Sequence, residues 1–397
     1  MKNAPTYKMN LKWFRPLYFP ILLPVALLIA LYNKLSPIPF KIYVLRVDRV
    51  GQLAANQEEF CCHRDLGMLP KEYRVYIYRH RPSNTTLMNM WKRVLRVRQS
   101  ALPLFDVCNK LGGLGITSMY IHRVTTGYDP NHLVEKTPQH IDFTQEEERE
   151  AQAQLSRLGI DMGKPMIPVL GRDSLYLKSI RETTDEDSYR NVDINTFIPA
   201  MEHLAARFNV IRMGHVAGTP LKTDTPGILD YSFCGGRTEL LDIYISARCH
   251  FFFSTGTGLD SIASHCFRKP VLYVNLIPME AAIAFNTNSL IIFKQLWHVE
   301  NKRYLTLSEI FSLDIGLACT PRELSPHGVV AHDNSPEDIT AVVVEMEARL
   351  DGTWERGEEG EALQARFWSH FKKKYPDSPP VSRIGTAFLR KYPHWLE

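Results

Sequence analysis

The longest apolar stretch near the start of the chain runs from Pro16 to Tyr32 (PLYFPILLPVALLIALY) without a charge. It is at the short end for a membrane-spanning helix, which needs about 17 to 25 apolar residues, and Pro20 and Pro24 would kink its first half. Lys2, Lys8, Lys12 and Arg15 precede it, and Lys34 and Lys41 follow. The segment Asn33-Lys34-Leu35-Ser36-Pro37 lacks the small residues of a signal-peptide cleavage site. Basic residues on both flanks and the two prolines fit a hairpin that dips into the cytoplasmic leaflet and returns. A single crossing is the rival, and the positive-inside rule would then put the body of the chain outside.

After the Pro37-Ile38-Pro39 break the pattern changes to short apolar runs alternating with amphipathic stretches. Lys41–Val47 and Tyr73–Tyr78 have the β-branched and aromatic character of strands, with helices expected at Leu53–Cys62, Asn84–Val97 and Leu102–Leu111. Thr144–Leu158 opens with a Thr cap and an acidic first turn and ends before Gly159, as a surface helix does. Farther on, strands are expected at Met166–Leu170, Val210–Gly214, Phe251–Ser254 and Val271–Leu276, and helices at Ile194–Phe208 and Leu240–Cys249. Helices near Pro336–Leu350 and Glu361–Tyr375 close the chain. Alternation of this kind predicts parallel sheets with right-handed crossovers. The expected organisation is a membrane-associated segment (1–37), two Rossmann-like domains (38–163 and 164–335) and closing helices (336–397).

The length, 397 residues, exceeds one ordinary core and suits two. A net charge of +4 with scattered basic residues argues against a nucleic-acid binder. The seven cysteines lack CxxC spacing and read as reduced and structural; in Cys61-Cys62-His63 the neighbours point apart on a helix, so no metal is expected there.

Ligands of open α/β sheets bind at the carboxyl ends of the strands, so residues just after each strand carry most weight. Phe251–Ser261 (FFFSTGTGLDS) is an apolar strand running into a Gly and hydroxyl turn and then a helix. Backbone N–H groups at such a helix start form an anion site, and Gly256 and Gly258 would let a phosphate approach. Ser254, Thr255, Thr257 and Ser261 add hydroxyls, and Asp260 either meets a ribose or caps the helix. Arg172, Asp173, Arg190 and Arg212 stand at or near other strand ends, each arginine needing an anion or an internal carboxylate such as Asp173 or Glu239. In the first domain the turn after the first strand supplies Arg49, Gly51, Gln52 and Asn56, with Asp48 and Glu58 as candidate general bases and a solvated helix face as the plain reading of Glu58. Asp185-Glu186-Asp187 matches the DxD pattern of metal-dependent transferases but sits in a polar run and reads as a solvated loop. Asn84-Thr85-Thr86 reads as a helix cap.

The stretches RVGQLAANQE, GRDSLYL, YRNVDINTFIPAMEHL, VIRMG, GILDY, RTELLDIYISARC, STGTGLDS and FRKPVLYVN together resemble a family of bacterial glycosyltransferases of GT-B type, more distantly similar to heptosyltransferases and protein O-fucosyltransferases. The resemblance implies two Rossmann-like domains facing across a cleft, with a nucleotide-sugar donor on the C-terminal domain and a glycan or lipid-linked acceptor on the N-terminal one. Inversion is likewise drawn from the resembling families. With Arg172, Arg212 and the helix start at Gly256 to Ser261 facing the departing diphosphate, no metal or other cofactor is required. Because bacterial nucleotide sugars are made in the cytoplasm, the expected place is the cytoplasmic face of the inner membrane. Where the family has histidine after the glycine of the first motif this chain has Gln52, which cannot act as a base, so the role falls to Glu58 or Asp48. A nucleotide-sugar epimerase of the same fold and a catalytically silent, membrane-tethered assembly protein are the alternatives.

Overall fold

The computed structural model describes residues 15–118, 129, 131–173, 189–215, 217–377 and 381–397. The chain is mixed α/β with parallel sheets and divides into two compact units. Met1–Gly127, Leu133–Thr144 and His265–Phe267 form the first; Tyr128–His132, Gln145–Ser264 and Arg268–Glu397 form the second.

In the first unit the order is α1 (Arg15–Leu35), β1 (Phe40–Val44), α2 (Val50–Asp65), β2 (Tyr73–Ile77), α3 (Thr85–Val94), α4 (Leu102–Lys110) and β3 (Thr117–Ser118). The three strands pair parallel in the order β2-β1-β3. Aromatic residues fix the register: Phe40 stacks on its partner Tyr73 at 5.7 Å, and Tyr43 meets Tyr76 at 6.0 Å. Asn84 caps α3, its side chain accepting from the Leu87 N–H at 2.8 Å, as its place before a helix predicts.

The expected membrane hairpin is not what forms. α1 is one continuous helix of 21 residues with Pro20 and Pro24 inside it. Its Tyr18, Phe19, Leu22, Ala26, Ile29 and Ala30 pack on a core made by Ile42, Leu102, Phe105 and Cys108, and Ala26 is fully buried. Asn33 ties the helix end to β1, donating to the Phe40 carbonyl at 2.8 Å and accepting its N–H at 2.7 Å. Packing along α4 outweighs the turn that the prolines suggested. The opposite face is apolar and open, with Ile21, Leu28 and Leu35 exposed by 70%, 66% and 79%. By length and composition the helix could cross a membrane. With one face committed to the body of the unit, the open face suits contact along a membrane surface.

In the second unit come α5 (Gln145–Arg157), β4 (Met166–Leu170), α6 (Ile198–Ala205), β5 (Asn209–Arg212), β6 (Ile228–Asp230), α7 (Glu239–Ala247), β7 (Phe252–Ser254), β8 (Val271–Leu276) and β9 (Ser289–Phe293). They are followed by β10 (Gln295–His298), β11 (Arg303–Tyr304), β12 (Val329–His332), α8 (Pro336–Leu350), α9 (Glu358–Lys374), β13 (Arg383–Ile384) and α10 (Thr386–Lys391). Seven strands form a wholly parallel sheet, β13-β9-β8-β7-β4-β5-β6, while β11-β10-β12 make a small antiparallel one. Every residue of β8 and β9 is buried, which explains their unbroken apolar runs.

The units part at Thr144, short of the expected boundary at 163. The reason is α5, which packs on α7: Arg248 pairs with Glu148, and Gln154 accepts from the Thr238 hydroxyl at 2.7 Å.

Two variants separate the roles of α1. Ile21→Ser/Leu28→Ser/Leu35→Ser removes only exposed groups, so the melting temperature should hold while binding to anionic phospholipid vesicles weakens by on the order of 100-fold or more. A chain beginning at Pro37 loses Ala26 and its neighbours from the core and should melt lower. Equal stability of that truncated chain would show that α1 is an appendage.

Candidate functional site

The order of strands in the second unit locates the site. From β4 the chain builds outward through β5 and β6, then β7 returns to pair with the other edge of β4, and β8, β9 and β13 continue away from it. Crossovers on the two sides of β4 therefore cover opposite faces, and the carboxyl ends of β4 and β7 are the place where open α/β sheets bind ligands. Thr255 and Gly256 follow β7, and Arg172 follows β4. The two ends are joined where the Arg172 N–H donates to the Thr255 hydroxyl at 3.1 Å and the Thr255 N–H donates to the Leu170 carbonyl at 3.2 Å.

Here the turn departs from the expected anion site. Asp260 is 4% exposed, and its carboxylate accepts from the Ser254 hydroxyl at 2.5 Å and the Thr257 N–H at 2.6 Å. The Gly256 N–H donates to Ser254 Oγ at 3.1 Å. The N–H groups of Gly256 and Thr257 are thus used inside the turn, and that of Thr255 is used on the Leu170 carbonyl of β4. The helical stretch after it spans only 260–266, π-wound from Ile262 to Cys266, with Ser261 half-buried in its first turn. Dipole and backbone donors are consequently weaker here than an α-helix start would supply. Asp260 is thus held within its own turn. Gly256 holds φ at +77°, and a Cβ there would meet Leu276 at 3.0 Å. Gly258 is exposed.

Side chains provide what the backbone does not. Arg190 donates to the Gly256 carbonyl at 2.6 Å, and its Nε has no hydrogen-bond partner among the described residues; nor has the Thr257 hydroxyl. Asp173 accepts from the Gly218 N–H at 2.7 Å. Arg212 is excluded from ligand duty by its own surroundings: it is 4% exposed, pairs with Asp230 at 2.9 Å and lies over the Phe233 ring. The internal-pair alternative holds, with Asp230 as partner in place of Asp173 or Glu239. At the end of β9 stands Lys294, bonded to Asp333 and, at 3.0 Å, to the Asn191 carbonyl. Burial lowers its pKa. In the sequence its signal is a lysine closing the apolar run SLIIF. Asp185 and Asp187 lie outside the described residues.

In the first unit, Asp48 and Arg49 are exposed on the turn between β1 and α2; Gly51 and Gln52 are half-buried on the first turn of α2, and Asn56 is buried. Glu58 does not face solvent. It is fully enclosed, and its carboxylate meets His140 Nδ1 at 2.8 Å, while His140 Nε2 meets Asp65 at 2.9 Å. The polar helix face expected at Glu58 is buried because the segment after Leu133 folds over α2.

No family model and no curated protein matches the sequence. Among solved structures the chain is similar to a glycosyl transferase family 9 protein from Veillonella parvula, at 10% identity and a TM-score of 0.38 over 60% of this chain and 80% of that one. It is similar to E. coli ADP-heptose heptosyltransferase II at 12% identity and a TM-score of 0.40, over 78% and 100%. A third is a UDP-N-acetylglucosamine 2-epimerase homologue from Listeria monocytogenes, at 8% identity and a TM-score of 0.30, over 80% and 98%. At these values the likeness is remote, and the chain's own residues must carry the reading.

Burial pushes the Asp260 carboxyl up to about 6 from its ordinary 3.8, against the lowering by the Ser254 and Thr257 bonds. A folded value above the unfolded one means a contribution fully present below about 4 and lost as pH rises through about 6, on the order of 3 kcal/mol. Asp260→Asn keeps an acceptor oxygen and does not titrate. Its stability relative to the parent should therefore rise between pH 4 and pH 7 in paired melting curves; a constant difference would contradict the assignment.

Proposed function

We propose that this chain is a glycosyltransferase, moving a sugar from a nucleotide-sugar donor to a glycan or lipid-linked acceptor with inversion and without a cofactor. The single observation that carries the reading is the reversal of strand order between β4 and β7, where Arg190 and Thr257 have polar atoms without a partner among the described residues beside the glycine turn. A diphosphate needs such donors, and the sequence stretches around them are those that resemble the transferase family. Arg172, Arg190 and Thr257 are assigned to the departing nucleoside diphosphate, with Gly258 leaving room beside it. Asp48 is assigned as base, because it is exposed on the first unit's turn whereas Glu58 is enclosed. In the step, the acceptor oxygen bonds to the anomeric carbon, the bond from that carbon to the phosphate oxygen breaks, and the acceptor's proton passes to Asp48. The open face of α1 is assigned to the cytoplasmic surface of the membrane that holds the acceptor.

Arg190→Gln should weaken nucleoside diphosphate binding about 10- to 100-fold in calorimetry, the cost of a hydrogen bond to a charged group. Gly258→Val, at an exposed position, should do the same at an unchanged melting temperature. Unaltered affinity in both variants would remove the donor site from these strand ends. Asp48→Asn should slow transfer by about 10² to 10⁴ while donor affinity stays within a few fold. Release of an altered nucleotide sugar without any acceptor would instead identify an epimerase. Added Mg²⁺ or Mn²⁺ should leave the rate unchanged; a strict requirement would transfer the donor phosphates to Asp185 and Asp187.

A further inference from the structure

We propose that Glu58, Cys62 and His140 form a binding site for a zinc-class divalent cation, with Asp65 orienting the histidine. One ligand atom from each of the three lies within 4.8 Å of the others. Two ligands of one zinc ion sit roughly 3 to 4 Å apart, so the three side chains need only small rotamer adjustments to meet at a common centre. Glu58 and Cys62 are one helical turn apart on α2 and present both groups from the same face of a rigid element. His140 comes from the segment that covers that face. Cys61 and His63, the neighbours that make the local sequence look like a candidate, are not in the cluster. The third ligand instead comes from a residue far along the chain.

Each surrounding contact fits a metal-bound state. Asp65 lies 2.9 Å from His140 Nε2, so with the ring proton on Nε2 the Nδ1 lone pair points toward Glu58 and Cys62. A carboxylate holding the far nitrogen of a ligand histidine is the usual outer-shell arrangement of zinc sites. The Thr137 hydroxyl lies 3.0 Å from Cys62 Sγ and 3.1 Å from the Leu133 carbonyl, which places a polar group beside the sulfur. Thiolate, imidazole and carboxylate together select zinc and similar transition ions over Mg²⁺ or Ca²⁺.

On binding, bonds form from the metal to His140 Nδ1, Cys62 Sγ and a Glu58 oxygen, and the protons those atoms carry go to solvent. The thiolate and carboxylate then face the dication directly, so the buried charges are paired with one another. The site lies in the first unit and stands or falls apart from the transferase reading, which assigns no role to these three residues.

Cobalt(II) is the probe, titrated into the metal-stripped full-length chain in detergent. One equivalent should bring a near-ultraviolet thiolate-to-cobalt charge-transfer band and the strong visible bands of four-coordination, both erased by zinc. Uptake should release protons, read by calorimetry in buffers of different ionisation enthalpy. Cys62→Ser should lose the charge-transfer band. Asp65→Asn should keep the band but weaken binding by about 10- to 100-fold, an effect that a purely structural Asp65 would not produce. Should Cys62→Ser fail to fold by circular dichroism, the parent spectrum and the Asp65 variant still decide. Cobalt uptake without a thiolate band, or no stoichiometric uptake by the folded parent chain, would overturn the site.

Discussion

The pairing of β7 with the edge of β4 that β5 leaves free is the constraint on which the second unit's chemistry depends. Had β7 been added beyond β6, the crossovers would all lie on one face and the strand ends would present a continuous rim. Returning to β4 splits the crossovers between the two faces and puts the switch at the two strand ends. The bonds from Arg172 to Thr255 and from Thr255 to Leu170 then hold both strand ends in fixed register. Arg190, anchored on the Gly256 carbonyl, inherits its position from the same register. Nothing in the local sequence of β7 dictates which edge it joins. The choice is made by burial, since Phe252 and Phe253 are wholly enclosed in the middle of the sheet and could not be so at its rim.

Legibility in the sequence followed the range of the interactions responsible. β4 and β8 appear where their apolar runs end, and α8 begins and ends as its Ser335 cap and periodicity indicate, because local burial and local capping decide these elements. The parallel character of the sheets was legible for the same reason. β6 was not: Ile228–Asp230 is short and half-buried on the sheet's edge, without an apolar run to mark it. Within the candidate site, the turn at Gly256 was recognised, but the use of its N–H groups by Ser254 and Asp260 was not, since either residue could have pointed outward. Arg212 shows the same ambiguity, settled by Asp230 on the neighbouring strand. His140 was beyond reach altogether, being 82 residues from the glutamate it meets.

α1 shows how one apolar sequence can serve two opposed demands. A helix apolar all round gives no periodic signal for a docked face, so the sequence suggested a membrane and said nothing of α4. Small residues decide where the contact falls. Ala26 is fully buried at the point of closest packing, with Ala30 beside it, while the bulkier Ile21, Leu28 and Leu35 stand on the open side. The prolines lie beyond the first turn and each gives up an intrahelical hydrogen bond, a cost that the core contacts outweigh. The reciprocal bonds of Asn33 with Phe40 make the end of α1 a continuation of the first sheet, so attachment at the open face would be transmitted to β1 without a flexible linker.

Both units enclose a carboxylate where water would otherwise stabilise it, and the two cases differ in what that burial accomplishes. Asp260 is surrounded by donors from its own turn, and the bonds that satisfy it also consume the N–H groups that a phosphate would have used. A turn locked this way offers little adaptable backbone, and the polar atoms beside it that lack a partner among the described residues belong to the side chains of Arg190 and Thr257. Glu58 is satisfied across a long chain separation, by a histidine that Asp65 also holds. That arrangement closes the segment around His140 onto α2, one carboxylate on each ring nitrogen. A cluster in which one imidazole serves two carboxylates beside a thiol is costly to bury on its own. A cation held by Glu58, Cys62 and His140 Nδ1 would offset that cost and leave Asp65 alone on the far ring nitrogen.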